Sequence, residues 1–291
     1  MKTFTRLLAR VACTALLLFA GALHAQTSLV RLHTTQGPID MQMLSGAPVT
    51  VANFLAYVRG GDYTDSLVHR SAYNGTTPFV IQGGGFRWTE AGCCTTVPSR
   101  GAIVNEFSAT RSNVRGTVAM AKNSGDPNSA TSQWFINMGN NAANLDNQNG
   151  GFTVFARVTT PGLAVADSIA ALPRVNLQNV FTELPVANWQ PGTPVLRSNA
   201  VRVTEVTELS SATSSDRIFN YLEAAFPQFL APQKATTGQA LGYVFRYYAG
   251  TNAYVATKDG QVWVLLLSIT PNLVNVGSID TWLGVAQTAG Y

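Results

Sequence analysis

The sequence is short of charge. Only 12% of its 291 residues are Asp, Glu, Lys or Arg, against about 25% in an average soluble chain. Its polar surface must therefore come largely from Ser, Thr, Asn and Gln, as suits an exported protein. Histidine and cysteine are scarce as well, at three residues each, and none falls at a spacing of the zinc-binding kind. No metal and no cofactor is expected. After the opening residues no apolar run approaches the ~20 residues that cross a bilayer, so the body of the chain is expected to lack an integral membrane segment.

The opening itself is different in character. Lys2, Arg6 and Arg10 precede an apolar run from Val11 to Ala22, and small residues follow around Ala25, the pattern of a secretory signal. Residues 1–25 are read as that signal, with a mature protein in the periplasm or outside the cell. Its removal takes three basic and no acidic residues, leaving 16 of the former against 15 of the latter. The remaining basic residues are scattered, so there is no electrostatic footprint for nucleic acid. Cys13 leaves with the signal, and only the adjacent Cys93 and Cys94 remain. Neighbouring Cα atoms lie about 3.8 Å apart, below the roughly 4.4–6.8 Å usual for a disulfide. In an oxidising compartment a strained vicinal bond and two unbridged or intermolecular thiols both stay open.

Periodicity divides the rest. Val30 and Leu32, a turn at Gln36-Gly37, then Ile39, Met41 and Met43 form a hairpin pattern. Val51, Phe54, Leu55 and Val58 recur at helical spacing after Pro48, and Gly60-Gly61 ends the run. From Tyr63 to Val158 short apolar runs alternate with Gly, Asn, Pro and Asp, which indicates a β-rich body with long loops. Val165, Ile169 and Leu172 suggest a second helix, and Val201 to Val206 a closing strand. Two helices and many strands suggest a barrel or sandwich capped at its ends. Residues 210–216 read as a small, polar linker. Beyond it, a helix from near Ser215 and strands at Tyr243 to Tyr248, Ala253 to Thr257 and Gln261 to Leu267, with Asp259-Gly260 as a hairpin turn, predict a small α+β domain over 217–291.

Three segments carry the chemistry: Val68-His69-Arg70; Pro78 to Phe86, which ends in Gly83-Gly84-Gly85-Phe86; and Gly116 to Lys122 leading to Ser129 to Asn137. The pattern continues through Asn144-Leu145-Asp146 and Phe152-Thr153-Val154-Phe155. In this order and near this spacing the segments resemble the cyclophilin type of peptidyl-prolyl cis-trans isomerase, over 28–209. The resemblance implies a mainly β fold, a closed eight-stranded antiparallel barrel capped by two helices. It also implies rotation about X-Pro bonds as the activity. Arg70, Gln82, Phe79 and Phe135 fall on the family's catalytic positions, and Val80, Ala121, Lys122, Asn144, Leu145 and Phe152 on its substrate-binding face.

Those residue types suit the reaction. Rotation must break amide resonance across about 18–20 kcal/mol, with no covalent bond to the chain made or lost. A fixed donor that favours the twisted amide is what helps, and an arginine fork stays charged at any working pH. Gln82 would hold a substrate carbonyl, the backbone at Ala121 and Lys122 would pair with the extended peptide, and Phe79, Phe135, Leu145 and Phe152 would form the floor for the prolyl ring. His69 reads as structural. Gly83 to Gly85 read as close backbone packing, because no Lys-Ser/Thr follows as in a phosphate loop.

Two departures from the family pattern stand out. Ser71 to Pro78 make the stretch between Arg70 and Phe79 a few residues longer than usual, with Asn74-Gly75 marking a surface turn. Asn144 stands where many members carry a Trp that contacts cyclosporin. The expected partners are proline-containing segments of exported client proteins, met by a monomer; a chaperone or adaptor that binds such segments without turnover is the alternative. In the C-terminal domain Tyr243, Phe245, Tyr247, Tyr248, Tyr254 and Trp263 read chiefly as the core of a small domain, with an exposed binding platform as the second reading. A fragment ending near Leu209 is expected to keep its activity, and the C-terminal domain to fold by itself.

Overall fold

The computed structural model describes residues 28–90, 92–231 and 235–291; the expected signal lies outside them. In chain order it runs β1 (Leu29–Thr34), β2 (Gly37–Met43), α1 (Pro48–Arg59), β3 (Ser66–Asn74), β4 (Thr77–Thr89), β5 (Gly92–Thr96), β6 (Thr117–Met120), β7 (Trp134–Asn137), the single-turn α2 (Ala142–Leu145), β8 (Val154–Val158), α3 (Thr160–Ala170), β9 (Arg174–Val175), β10 (Leu184–Pro185) and β11 (Arg202–Leu209). Strands join in the order β3-β11-β1-β2-β8-β6-β7-β4, and β4 pairs back with β3. Eight antiparallel strands thus close a barrel, with β5 added to the far part of β4.

Alternation explains the filling. Val30, Leu32, Ile39, Met41, Val68, Ile81, Val118, Ile136 and Phe155 point inward and form one core with Phe54 and Val58 of α1 and Ala166 and Ile169 of α3. Both helices begin with proline in the first turn, where its missing N–H costs nothing. The extra residues between Arg70 and Phe79 lengthen the β3-β4 hairpin: Asn74 pairs with Thr77 around a tight turn whose Gly75 has φ 60°. Bulges between Ala72 and Tyr73 and between Val68 and Arg70 flank the regular stretch in which Arg70, Ser71 and Ala72 pair with Gln82, Ile81 and Val80.

The C-terminal unit comprises α4 (Ser214–Ala225), the meander β12 (Thr236–Ala240), β13 (Tyr243–Tyr248), β14 (Ala253–Lys258), β15 (Gln261–Leu266) and β16 (Val274–Ser278), and α5 (Ile279–Thr288). The helix starts earlier than the linker reading allows: Thr213 and Asp216 form a reciprocal capping box, so residues 214–216 are its first turn. Asp259 and Gly260, at φ 50° and 74°, make the predicted hairpin turn in the doubly left-handed form that matches strand twist. The aromatic series does not fill the core. Only Tyr248 joins the core of Ile218, Phe219, Leu222, Val255 and Val262. Val244, Arg246 and Tyr248 take the face of β13 toward α4, so Tyr243, Phe245 and Tyr247 must turn the other way. There they meet Tyr254 and Trp263 in a half-buried ladder, with Tyr247 and Tyr254 centroids 4.6 Å apart.

The two units are packed together. Every residue of β1 is buried, although its alternate residues Leu29, Arg31 and His33 face away from the barrel interior. The C-terminal unit covers them. Leu29 packs with Ala224, Ala286, Ala289 and Tyr291. Arg31 Nε and Nη2 donate to the two carboxylate oxygens of Asp40 at 2.7 Å each, Nη1 to Glu223 Oε2 at 2.5 Å, and Nη2 also to Asn220 O at 2.9 Å. Glu223 accepts in turn from Arg246 Nη1 at 2.9 Å and Tyr248 OH at 2.8 Å, and Tyr291 OH donates to Asp40 Oδ2 at 2.7 Å. Burial alone would pull Arg31 down, but the charge and hydrogen bonds of Asp40, with Glu223 behind, hold it above its ordinary value. Among the described residues no helix is long and apolar enough to cross a membrane.

Candidate active site

Cross-strand register assembles the site. Arg70 on β3 pairs with Gln82 on β4, Gln82 with Phe135 on β7, Phe135 with Ala119 on β6, and Ala119 with Val154 on β8. Directly paired residues share a face, and the neighbours Ile81, Ile136 and Val118 point into the barrel. Arg70, Gln82, Phe135, Ala119 and Val154 therefore form one row across the outside of the barrel. Around it Val80, Phe135 and Leu145 are buried, with Phe79, Ala121 and Phe152 packed on them and partly open. The Phe135 and Phe152 rings meet edge to face at 5.7 Å, an arrangement that suits their quadrupoles. The predicted floor is thus brought together.

Arg70 is half used. Its Nε donates to Glu183 Oε2 at 3.0 Å, and among the described residues its two Nη atoms make no hydrogen bond. Gln82 Nε2 donates to Gln133 Oε1 at 2.9 Å, which orients the amide. The glycine run is what lets Gln133 lie there: a Cβ on Gly85 would sit 2.7 Å from the Gln133 side chain. Close packing, the reading made from the sequence, is what the run provides.

Lys122 and Asn144 differ from the other floor residues. The Lys122 ammonium donates to the carbonyls of Asn149 and Gly151 at 2.7 Å each and sits 4.7 Å over the Phe152 ring; burial lowers its pKa. It therefore pins the loop that delivers Phe152, and its side chain is already committed. Asn144 is exposed on α2 and accepts from Gln148, at the rim.

Beneath the floor runs a polar lattice that sequence reasoning missed. Asn141 Nδ2 donates to Phe79 O and Asn137 Oδ1, both at 2.8 Å. Asn113 Nδ2 donates to Phe152 O at 2.9 Å and Asp146 Oδ1 at 2.8 Å. Asn137 Nδ2 closes the lattice on Asn113 Oδ1 and Thr117 Oγ1. Buried amides satisfied in this way fix the backbone of Phe79 and Phe152. Asn137, Asp146 and Gln133 stood within the matched segments; Asn113, Asn141 and Glu183 had no local signal. His69 is buried against Phe86, and burial, helped by the neighbouring Arg70 charge, pulls it down to about 4. The structure joins Cys93 and Cys94 in a disulfide on β5, outside the row.

Comparison with known proteins agrees on one family. Residues 29–190 match the family described as "Cyclophilin type peptidyl-prolyl cis-trans isomerase/CLD". A peptidyl-prolyl cis-trans isomerase of Acinetobacter baylyi is 39% identical over 160 residues, 54% of this chain and 79% of that protein. Peptidyl-prolyl cis-trans isomerase A of Dickeya dadantii is 38% identical over 181 residues, 60% of this chain and 90% of its own length. A solved Cryptosporidium parvum cyclophilin-type isomerase aligns with 64% of this chain and 99% of its own, at 19% identity and a TM-score of 0.46. The family match covers more than half of the sequence and most of the barrel, including every residue of the row from Arg70 to Val154, so the chain belongs to the cyclophilin-type peptidyl-prolyl cis-trans isomerases.

Proposed function

We propose that the outer face of the barrel turns X-Pro bonds in exported client proteins, in the periplasm or outside the cell, with Arg70 as the donor and the protein acting as a monomer. The observation that carries this reading is the row in register: an arginine with free Nη groups beside Gln82 and an apolar floor. A prolyl ring seated on Phe135, Leu145, Phe79 and Phe152 anchors one side of the bond, while Gln82 and the backbone at Ala121 and Lys122 hold the flanking peptide. As the amide twists, its nitrogen becomes pyramidal and the lone pair it had shared with the carbonyl localises on it. A guanidinium N–H donated to that lone pair is stronger in the twisted state than in the planar one, which is the condition for lowering a barrier. The anchoring floor and donor are fixed before substrate arrives, so little reorganisation opposes the step. The export half of the proposal is supported by the leader pattern and the low charge. Turnover of an Ala-Pro or Phe-Pro peptide, followed by exchange NMR, tests the activity, and detection of the mature protein in a periplasmic or culture fraction tests the location. An inert protein, or one retained in the cytosol, would overturn the corresponding half.

A further inference from the structure

The stretch between α3 and β11 has a small core of its own: Val175, Leu184 and Val186 are buried, with Phe181, Trp189 and Val195 around them. This anchors Glu183 at the edge of the catalytic row. Its carbonyl accepts from the amide of Ser71 at 2.8 Å, the residue next to Arg70. Its carboxylate is gripped from two sides: Oε2 lies 3.0 Å from Arg70 Nε and Oε1 4.0 Å from Arg174 Nη1. Arg174 is itself laid on the Tyr73 ring, 4.0 Å from its centroid, and Tyr73 OH donates to Ala170 O at 2.8 Å.

We propose that Glu183 is a positioning residue for Arg70, a role that rests on reading Arg70 as the donor. An arginine is a long side chain with many rotamers, and a donor helps only if it stands where the twisted nitrogen will be. The carboxylate takes Nε, which has one N–H, and leaves the four N–H groups of the Nη atoms for substrate. The fork is thus held by the end that does no chemistry. An opposing effect exists, because a negative charge beside the guanidinium weakens the field it offers. The two effects have opposite signs in turnover, which makes the role measurable.

The experiment compares kcat and KM for Glu183→Ala, Glu183→Gln, Arg70→Ala and the Arg70→Ala/Glu183→Ala double variant, with the Arg70 15Nε–1Hε resonance recorded in parallel. Glu183→Ala is expected to lower kcat about tenfold with KM nearly unchanged, as misplacement of a catalytic group does. Glu183→Gln keeps an oxygen acceptor for Nε and should retain at least about half of kcat. In the Arg70→Ala background the second change should do nothing more, and the slowly exchanging Nε–H signal should vanish in Glu183→Ala. An equal slowing by Glu183→Ala with and without Arg70 would overturn the proposal, since the residue would then act through the fold. So would an accelerated Glu183→Ala, which would mean that relief of charge dominates. Full turnover by Arg70→Ala would overturn the donor reading and this role with it, whereas wild-type turnover by Glu183→Ala beside a crippled Arg70→Ala would overturn the positioning role alone.

Discussion

Arg31 and Arg70 sit on strands of one barrel and have opposite fates. Arg31 is 1% exposed and spends Nε, Nη1 and Nη2 on Asp40, Glu223 and Asn220. Arg70 is 38% exposed and commits Nε alone. The first is a cross-brace between barrel and C-terminal unit; the second is a donor with capacity left over. Burial and unused hydrogen-bonding groups together, more than residue type, separate a structural arginine from one available for chemistry. Each also has a histidine close by: His33 beside Arg31 and His69 beside Arg70.

Breaking the brace should have the largest effect. Glu223→Ala leaves Arg31 and Arg246 without their shared acceptor, and loss of one partner from a buried charged cluster costs about 3–5 kcal/mol. The melting temperature should fall by roughly 10 °C while kcat per folded molecule stays the same; an unmoved melting curve would show that the brace contributes nothing. Acid should act next. The folded pKa of His69 near 4 lies below its ordinary 6.5, so the unfolded chain binds the proton first. Its contribution is complete above pH 6.5 and is lost as pH falls toward 4, about 3 kcal/mol in all. His33 is lowered too, by burial and then by the Arg31 charge, and adds a slope of the same sign. Urea unfolding between pH 7 and 4 should flatten in part for His69→Gln and in part for His33→Gln, which assigns the acid sensitivity to the two regions separately. Arg70→Ala should be smallest in energy and largest in function: at least about tenfold off kcat/KM, about 1.4 kcal/mol, with an unchanged melting curve.

Much of this contrast was legible in the sequence, and unevenly so. The first hairpin, the closing strand and both capping helices follow from local periodicity; the strands between them were legible only as a β-rich body, and the closed barrel and the floor residues came with the resemblance carried by the ordered segments. Arg70 was identified, but the acid that holds it was not: Glu183 lies more than a hundred positions away, and only the course of β9 and β10 brings it to β3. The same limit hid the brace. Arg31 occupies an outward position on β1, and nothing near it in sequence announces that α4 will cover it. The aromatic series of β13 is a different case. Tyr247 and Tyr248 are adjacent in an extended strand and cannot share a face, so alternation alone predicts that part of the series lies outside the core. Composition favoured the other reading.

The bond from Tyr291 to Asp40 spans 251 positions, while Arg31 and Asp40 are only nine apart. The early hairpin can therefore pair its own charges before α4 and α5 have docked. Contacts of such separation form late, after the local ones have already narrowed the search. The C-terminal unit is placed as a latch on an otherwise closed cylinder, held to β1 through Leu29 and Arg31. With the latch shut the outer face of β1, Leu29 and Arg31 included, is withdrawn from solvent.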